Sequence, residues 1–372
     1  MIFSYLILFY YRIIHAKKKK VVTKKSNKAK SATPEVVSGS LLPKVAASQT
    51  TTSVSSTPTN SSQNNPIPSS SPNNQQTVCP IIDPPGYDFV NVQEENATSL
   101  LSKLQSFADC NQATLMAFIA PYYGKKISPV DFVSSSIGFY EELGIEEVVA
   151  QIKKKQGNKL DKLFLLVESP GGIVTSSYKI ARYLRANFTD ITTFVAHEAA
   201  SGGALIALIG NEVIMSEMAN LGPIDVRVPY HGTRVSVNSM VSSLATLLDY
   251  FKTKRPEQVP YPYRALVDKL DPIIYDDWNA ETYAMVEYTL ELLAKAKYTS
   301  KDMSNIVKNF VLTNKTHSFV IHKYTAKDYG VNINMTNKYE NELNCMKWWL
   351  KEYMLLEGTK HYIRYVVPNQ KP

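Results

Sequence analysis

Cysteine is scarce in this 372-residue sequence: Cys79, Cys110 and Cys345 lie far apart, and no C-x-x-C occurs. A sparse, odd count argues against a disulfide framework and suits a reducing compartment, with Cys110 and Cys345 expected as packed thiols. Six histidines at no ligand spacing complete no metal site with them, so no metal or other cofactor is expected. Basic charge is also missing from the globular part. The formal net charge is +8, yet residues 1–30 hold nine basic residues (Arg12, Lys17–Lys20, Lys24, Lys25, Lys28 and Lys30) and no acidic ones, which leaves the remainder near −1. Such a remainder has no electrostatic footprint for nucleic acid, and none is expected as a partner. Long apolar runs are absent too. The best candidate, MIFSYLILFYYRIIHA over residues 1–16, is interrupted by Arg12 and falls short of the ~20 residues needed to cross a bilayer core.

That N-terminal stretch, with its basic flank to residue 25, has three readings. It is a membrane anchor with Lys17–Lys20 on the cytoplasmic side, an interfacial helix held at anionic lipid, or an N-terminus with no membrane role. A secretory signal fits less well, because the charge follows the apolar run. We expect membrane association, transmembrane or interfacial, with membrane lipid as a partner and the catalytic domain on the cytoplasmic side. Residues 26–88 are dominated by Ser, Thr, Pro, Asn and Gln. They have too few apolar side chains to offset the entropy of ordering, so a disordered tether is expected.

From residue 89 the pattern changes to that of a packed domain. Apolar strands are expected at Thr114–Ala120, Leu163–Val167, Thr192–Ala196 and Glu212–Met215. Amphipathic helices are expected at Ile145–Lys155, Val174–Arg185 and Ser201–Ile209. Strands alternating with helices of this length indicate βαβ units and a mostly parallel sheet. Beyond Asp225 a strand at Arg234–Val237 and helices at Ser239–Phe251, Asp277–Ala296, Ser300–Val311 and Tyr339–Leu356 are expected. The last carries Trp348 and Trp349, which serve either packing or self-association.

Two glycine-punctuated turns carry the chemistry. The strand at Leu163–Val167 runs into Ser169-Pro170-Gly171-Gly172, and the strand at Thr192–Ala196 runs into Ala199-Ala200-Ser201-Gly202-Gly203. Two such turns bring backbone N–H groups and one serine to the same sheet edge, the hardware for an oxyanion beside a nucleophile. Ser201 taken alone also suits a helix N-cap. The pair Gly171-Gly172 permits φ > 0, so that successive N–H groups converge, and a side chain at Gly172 is expected to block that conformation.

SPGG, then AASGGALIAL, then EVIMSEMANLGPID, resembles the Clp/crotonase superfamily over roughly residues 110 to 335. Within it the chain most resembles the serine dehydrogenase proteinase family, related to signal peptide peptidase A and ClpP. It departs from that pattern at Ser201-Gly202-Gly203-Ala204, where relatives often have Ser-Ala-Gly-Thr, and at Val226-Arg227, where they often have Pro-Gln. The resemblance implies an α/β fold, a ClpP/crotonase-like spiral of βαβ units with a helical C-terminal part. The expected division is a protease domain over 89–335 and a C-terminal helical tail over 336–372. It also implies serine endopeptidase activity on a peptide or protein substrate, with Ser201 as nucleophile and the N–H groups of Gly172 and Gly202 as oxyanion donors. Homo-oligomeric assembly follows from the same resemblance.

The general base stays open at this stage. The resemblance to signal peptide peptidase A, in which a lysine lies a few dozen residues beyond the serine, implies Lys254 as the base, with Lys252 as the neighbouring candidate. Asp225, His231 and His317 are candidates as base or orienting group, and His197 reads as structural. Two other classes remain: a catalytically inactive, membrane-tethered oligomeric scaffold, and an α/β-hydrolase-type esterase in the order Ser201, Asp271, His317.

Overall fold

The computed structural model describes residues 94–120, 137–158, 160–230, 232–263, 271–313, 316–356 and 362–369. The expectations for residues 1–25, 26–88 and His231 fall outside these. Among the described residues no helix is long and apolar enough to cross a membrane.

Helix α1 (Glu94–Asn111) leads into strand β1 (Thr114–Ile119). Then come α2 (Phe139–Gln156), β2 (Leu160–Glu168), α3 (Val174–Asn187) and β3 (Phe188–Val195). A two-residue strand β4 (Glu198–Ala199), helix α4 (Gly202–Ala207), β5 (Glu212–Met215) and the short β6 (Asn220–Leu221) follow. Strands β1, β2, β3 and β5 pair in parallel, in that order. This is the α/β architecture with a parallel-rich sheet that the alternation implied. β1 and the second half of β2 are buried on both faces, as parallel strands between helical layers must be, and their unbroken apolar runs reflect it.

The remaining elements are β7 (Arg227–Tyr230), β8 (Thr233–Ser236), α5 (Val237–Thr253), α6 (Pro272–Lys295), α7 (Ser300–Ile306), β9 (Ile321–His322), α8 (Lys323–Asp328), α9 (Glu340–Leu356) and β10 (Tyr362–Val366). β10 adds to the sheet antiparallel to β1, from Leu115↔Val366 to Ile119↔Tyr362. The stretch read as a helical tail thus supplies an edge strand of the central sheet as well as a helix. Helix α9 is bound into the same core. Its Cys345, Met346, Trp349 and Tyr353 pack with Leu104 and Phe107 of α1 against Phe164, Leu166 and Phe194 of the sheet. Trp349 Nε1–H donates to the Tyr362 hydroxyl at 3.1 Å, and Lys103 Nζ lies 3.9 Å from the Trp348 ring centroid. These aromatics therefore serve the chain's own packing.

Cys345 is a buried free thiol, and burial pushes its pKa up to about 12. Cys110 departs from the expectation of a packed thiol: it is disulfide-bonded. Tertiary proximity pairs cysteines, and spacing along the chain does not report it.

A second, three-stranded sheet in the order β4-β6-β9 was not legible in the sequence. Its strands are two residues long, too short for a period-2 signal. It positions the site, because β4 ends two residues before Ser201, β6 leads into the LGPID loop at Leu221, and β9 begins four residues after His317.

Candidate active site

The strand ends place the two glycine turns side by side. Ser169 N–H donates to Glu198 O at 2.9 Å and Ala200 N–H donates to Ser169 O at 2.8 Å, so the SPGG turn continues as a ladder along β4. Glu168, at the end of β2, clamps the same junction. Its Oε1 accepts from His197 Nδ1 at 3.1 Å and its Oε2 accepts from Glu198 N–H at 3.0 Å. Burial pushes the Glu168 carboxyl up, against the opposing pull of His197, and the bond to Glu168 raises the His197 imidazole. His197 thus ties two turns together, in keeping with its structural reading.

Ser201 adopts φ 51° and ψ −120°, a left-handed backbone that is costly for a residue with a Cβ. It sits at the N-terminus of α4, yet its side chain makes no capping hydrogen bond. The ordinary reason for a serine at this position, an N-cap, does not apply. Its neighbours fit closely around it. A Cβ on Gly171 would come within 2.6 Å of Ser201 Cβ and 2.9 Å of Gly202 N, and one on Gly202 would collide with Ser177 Oγ.

Within the upstream pair it is Gly171 that has the positive φ, +109°, and not Gly172. The demand for glycine at position 172 has another cause. Gly172 forms a parallel bridge with Ile137, and a Cβ there would strike Ile137 N and O and lie 2.7 Å from its Cα. Gly171 N–H is taken by Ser169 Oγ at 3.0 Å. Among the described residues neither Gly172 N–H nor Gly202 N–H donates a backbone hydrogen bond. The two lie close together, since a Cβ on Gly202 would be 3.4 Å from Gly172 N.

The LGPID loop is held from both sides. Ile224 N–H donates to Phe310 O at 2.8 Å and Val237 N–H donates to Val226 O at 2.9 Å. Phe310 belongs to a wide turn, Val307–Leu312, that continues α7, where carbonyls are freed for outside partners. Asn238 Nδ2 takes another of them, Val311 O, at 2.7 Å. Asp225 is thereby fixed with its side chain fully buried, and its Oδ1 accepts from His317 Nδ1 at 2.6 Å. With the Nδ1 proton committed to the carboxylate, Nε2 of His317 is left as the basic nitrogen. His317, Ala200 and Gly222 line one cleft of about 430 Å³, and a Cβ on Gly222 would be 3.5 Å from Ser201 N.

The other candidates are placed differently. Lys252 is exposed and paired with Asp249 at 3.1 Å, and Lys254 is exposed at the end of α5. His231 lies outside the described residues. Asp271 caps α6, its Oδ1 accepting from Ile273 N–H at 2.9 Å, so the hydrolase order Ser201, Asp271, His317 has its carboxylate engaged elsewhere. Among the described residues no group of side chains suited to hold a metal ion occurs.

A family model described as ClpP-like SDH-type serine proteinase matches residues 136–371. Two uncharacterized proteins of Methanocaldococcus jannaschii are similar to the chain. One is 26% identical over 227 residues, which span 60% of this chain and 70% of the relative. The other is 29% identical over 170 residues, which span 46% of this chain and 51% of the relative. Two solved structures of a 1510-N membrane-bound stomatin-specific protease overlap in part. A lysine-to-alanine variant in complex with a substrate peptide gives a TM-score of 0.34 at 15% identity, covering 54% of this chain and 72% of that one. A serine-to-alanine variant gives 0.35 at 13%, covering 56% and 79%. Overlaps this loose define no common site geometry. The family match is of another kind, for it takes in both glycine turns, Ser201, the Asp225–His317 pair and the closing edge strand. The chain therefore belongs to the ClpP-like SDH-type serine proteinase family, and by that membership is a peptidase.

Proposed function

We propose that this protein is a membrane-associated serine endopeptidase, with Ser201 as nucleophile, His317 as general base and Asp225 as its orienting carboxylate. The observation that carries the reading is the 2.6 Å bond between buried Asp225 and His317, on a cleft that also reaches Ala200, the residue before Ser201. Ser201 Oγ attacks the scissile carbonyl while His317 Nε2 takes its proton. The oxyanion is received by the N–H groups of Gly172 and Gly202. Collapse breaks the C–N bond, and His317 returns the proton to the leaving amine. Water, activated by the same nitrogen, then hydrolyses the acyl-enzyme. Asp225 holds the imidazole in the tautomer that this needs and offsets its transient positive charge.

The inactive-scaffold alternative has less support, because a strained serine without a capping role is maintained only where the surroundings hold it in place. Membrane attachment through residues 1–25 and homo-oligomeric assembly belong to the same proposal. The first rests on the apolar run and its lysines. For the second, the exposed Phe139, Tyr140 and Ile173 near the Gly172 turn offer an apolar surface. Fractionation of the full chain against a chain starting at Phe89 tests the attachment, and equal solubility of both would end that part.

Purified full-length protein should label with a fluorophosphonate and cleave casein or a hydrophobic peptide. Ser201→Ala should abolish both, and His317→Asn should lose at least about a hundredfold in rate. Undiminished hydrolysis by Ser201→Ala would sink the assignment. Full activity in His317→Asn, together with its loss in Lys254→Met, would transfer the base to Lys254.

A further inference from the structure

One wall of the cleft beside Ser201 is not used by the chemistry above. It is formed by the β7–β8 hairpin, in which Arg227 pairs with Ser236 and Pro229 with Arg234. Arg227, Arg234 and Ser236 all line the cleft together with His317. Each arginine spends one contact on the other's backbone. Arg227 Nη2 donates to Arg234 O at 2.7 Å, and Arg234 Nη2 donates to Arg227 O at 3.4 Å. These bonds hold both guanidinium groups at the cleft and leave further N–H donors on each. Among the described residues neither arginine forms an ion pair with a carboxylate.

Ser236 supplies an independent sign. It is 6% exposed, and its hydroxyl has no hydrogen-bond partner among the described residues. A buried hydroxyl left unpaired is costly unless a ligand or water completes it. Among the described residues that line the cleft the one acidic side chain is Glu198, and its Oε1 is engaged by Asn220 Nδ2 at 3.4 Å. Two cations and an unsatisfied hydroxyl on one hairpin form a donor set for an anionic oxygen pair.

We propose that Arg227, Arg234 and Ser236 read a carboxylate on the peptide substrate, so that the protein prefers segments presenting one beside the scissile bond. This rests on the peptidase reading of the same cleft. The carboxylate has two sources, an acidic side chain or the free C-terminus of the substrate.

The test uses matched fluorogenic peptides on the full-length protein. Glu and Gln are exchanged at each position flanking the scissile bond in C-terminally amidated peptides, and acid and amide termini are compared in peptides with no acidic side chain. The expected result is a preference in kcat/KM of about tenfold for Glu over Gln at one position, or for acid over amide, the order of one charge-assisted hydrogen bond. Arg227→Gln and Arg234→Gln should each reduce that ratio, Arg227→Lys should retain part of it, and Arg234→Glu should turn it toward lysine-bearing peptides. The same peptides are titrated by fluorescence anisotropy against Ser201→Ala protein, which reads charge preference without turnover. Binding or cleavage that is indifferent to the carboxylate overturns the inference while leaving the peptidase reading intact. A carboxylate preference in binding, with no Ser201-dependent cleavage of any peptide, overturns the peptidase reading instead.

Discussion

Replacing Gly172 by Ala separates the two things this glycine does. The added Cβ would strike Ile137 N and O and sit 2.7 Å from its Cα. These are backbone atoms, so no rotamer change relieves the collision. The chain must part at the Ile137–Gly172 bridge, where Ile137 N–H donates to Gly171 O at 2.9 Å and Ile173 N–H donates to Ile137 O at 2.7 Å. Forcing a methyl into a filled space costs about 1–3 kcal/mol. Two backbone bonds add about 1 kcal/mol each if both are lost. With both bonds lost the sum is about 3–5 kcal/mol, no more than the lower end of the 5–15 kcal/mol by which a typical domain is stable. Most of the protein should therefore stay folded, with a Tm about 5–20 °C lower. Activity should fall further than folding, by about 10²–10³ in kcat, because the Gly172 N–H moves away from the developing oxyanion. Circular dichroism gives the folded fraction, fluorophosphonate labelling gives the rate at Ser201, and peptide hydrolysis gives kcat. Trimming the neighbour, as in Ile137→Ala, should not rescue the variant, since its side chain is not what collides. Folded Gly172→Ala protein with turnover within about twofold of wild type would refute the oxyanion role and leave Gly172 as a packing residue alone.

Two further expectations follow from the site and the core. Asp225→Asn keeps the shape but loses the charge and the donor–acceptor match to His317 Nδ1, so kcat should fall by about 10³–10⁴ with KM little changed; a loss under about tenfold would show that Asp225 only packs. Trp349→Ala removes a buried indole and its bond to Tyr362, and should cost about 3–5 kcal/mol in urea unfolding; a cost under about 1 kcal/mol would mean that α9 contributes little to the core.

The residues alone determined the parallel layer. Leu163–Val167 and Thr192–Ala196 are apolar runs bounded by glycine turns, and the helices between them repeat at 3.6 residues, so each element announces itself within its own length. The same local signal placed Ser201 and both glycine turns at one edge, because parallel strands joined by crossover helices all end on the same side. The cause of the glycine at 172 was not legible. It lies in the approach of Ile137, 35 residues upstream by number, and the positive φ belongs to Gly171 instead. Asp225 and His317 each appeared as one candidate among several. Only tertiary structure joins them, across 92 residues, through the two-residue strands β6 and β9 and the wide turn at Val307–Leu312 that anchors Ile224. Elements that short have no period to read, and a side-chain pair so distant in sequence leaves no pattern in either neighbourhood. Periodicity encodes what a segment does with its own backbone, whereas the partner of a buried carboxylate is decided by which segments the whole core brings together.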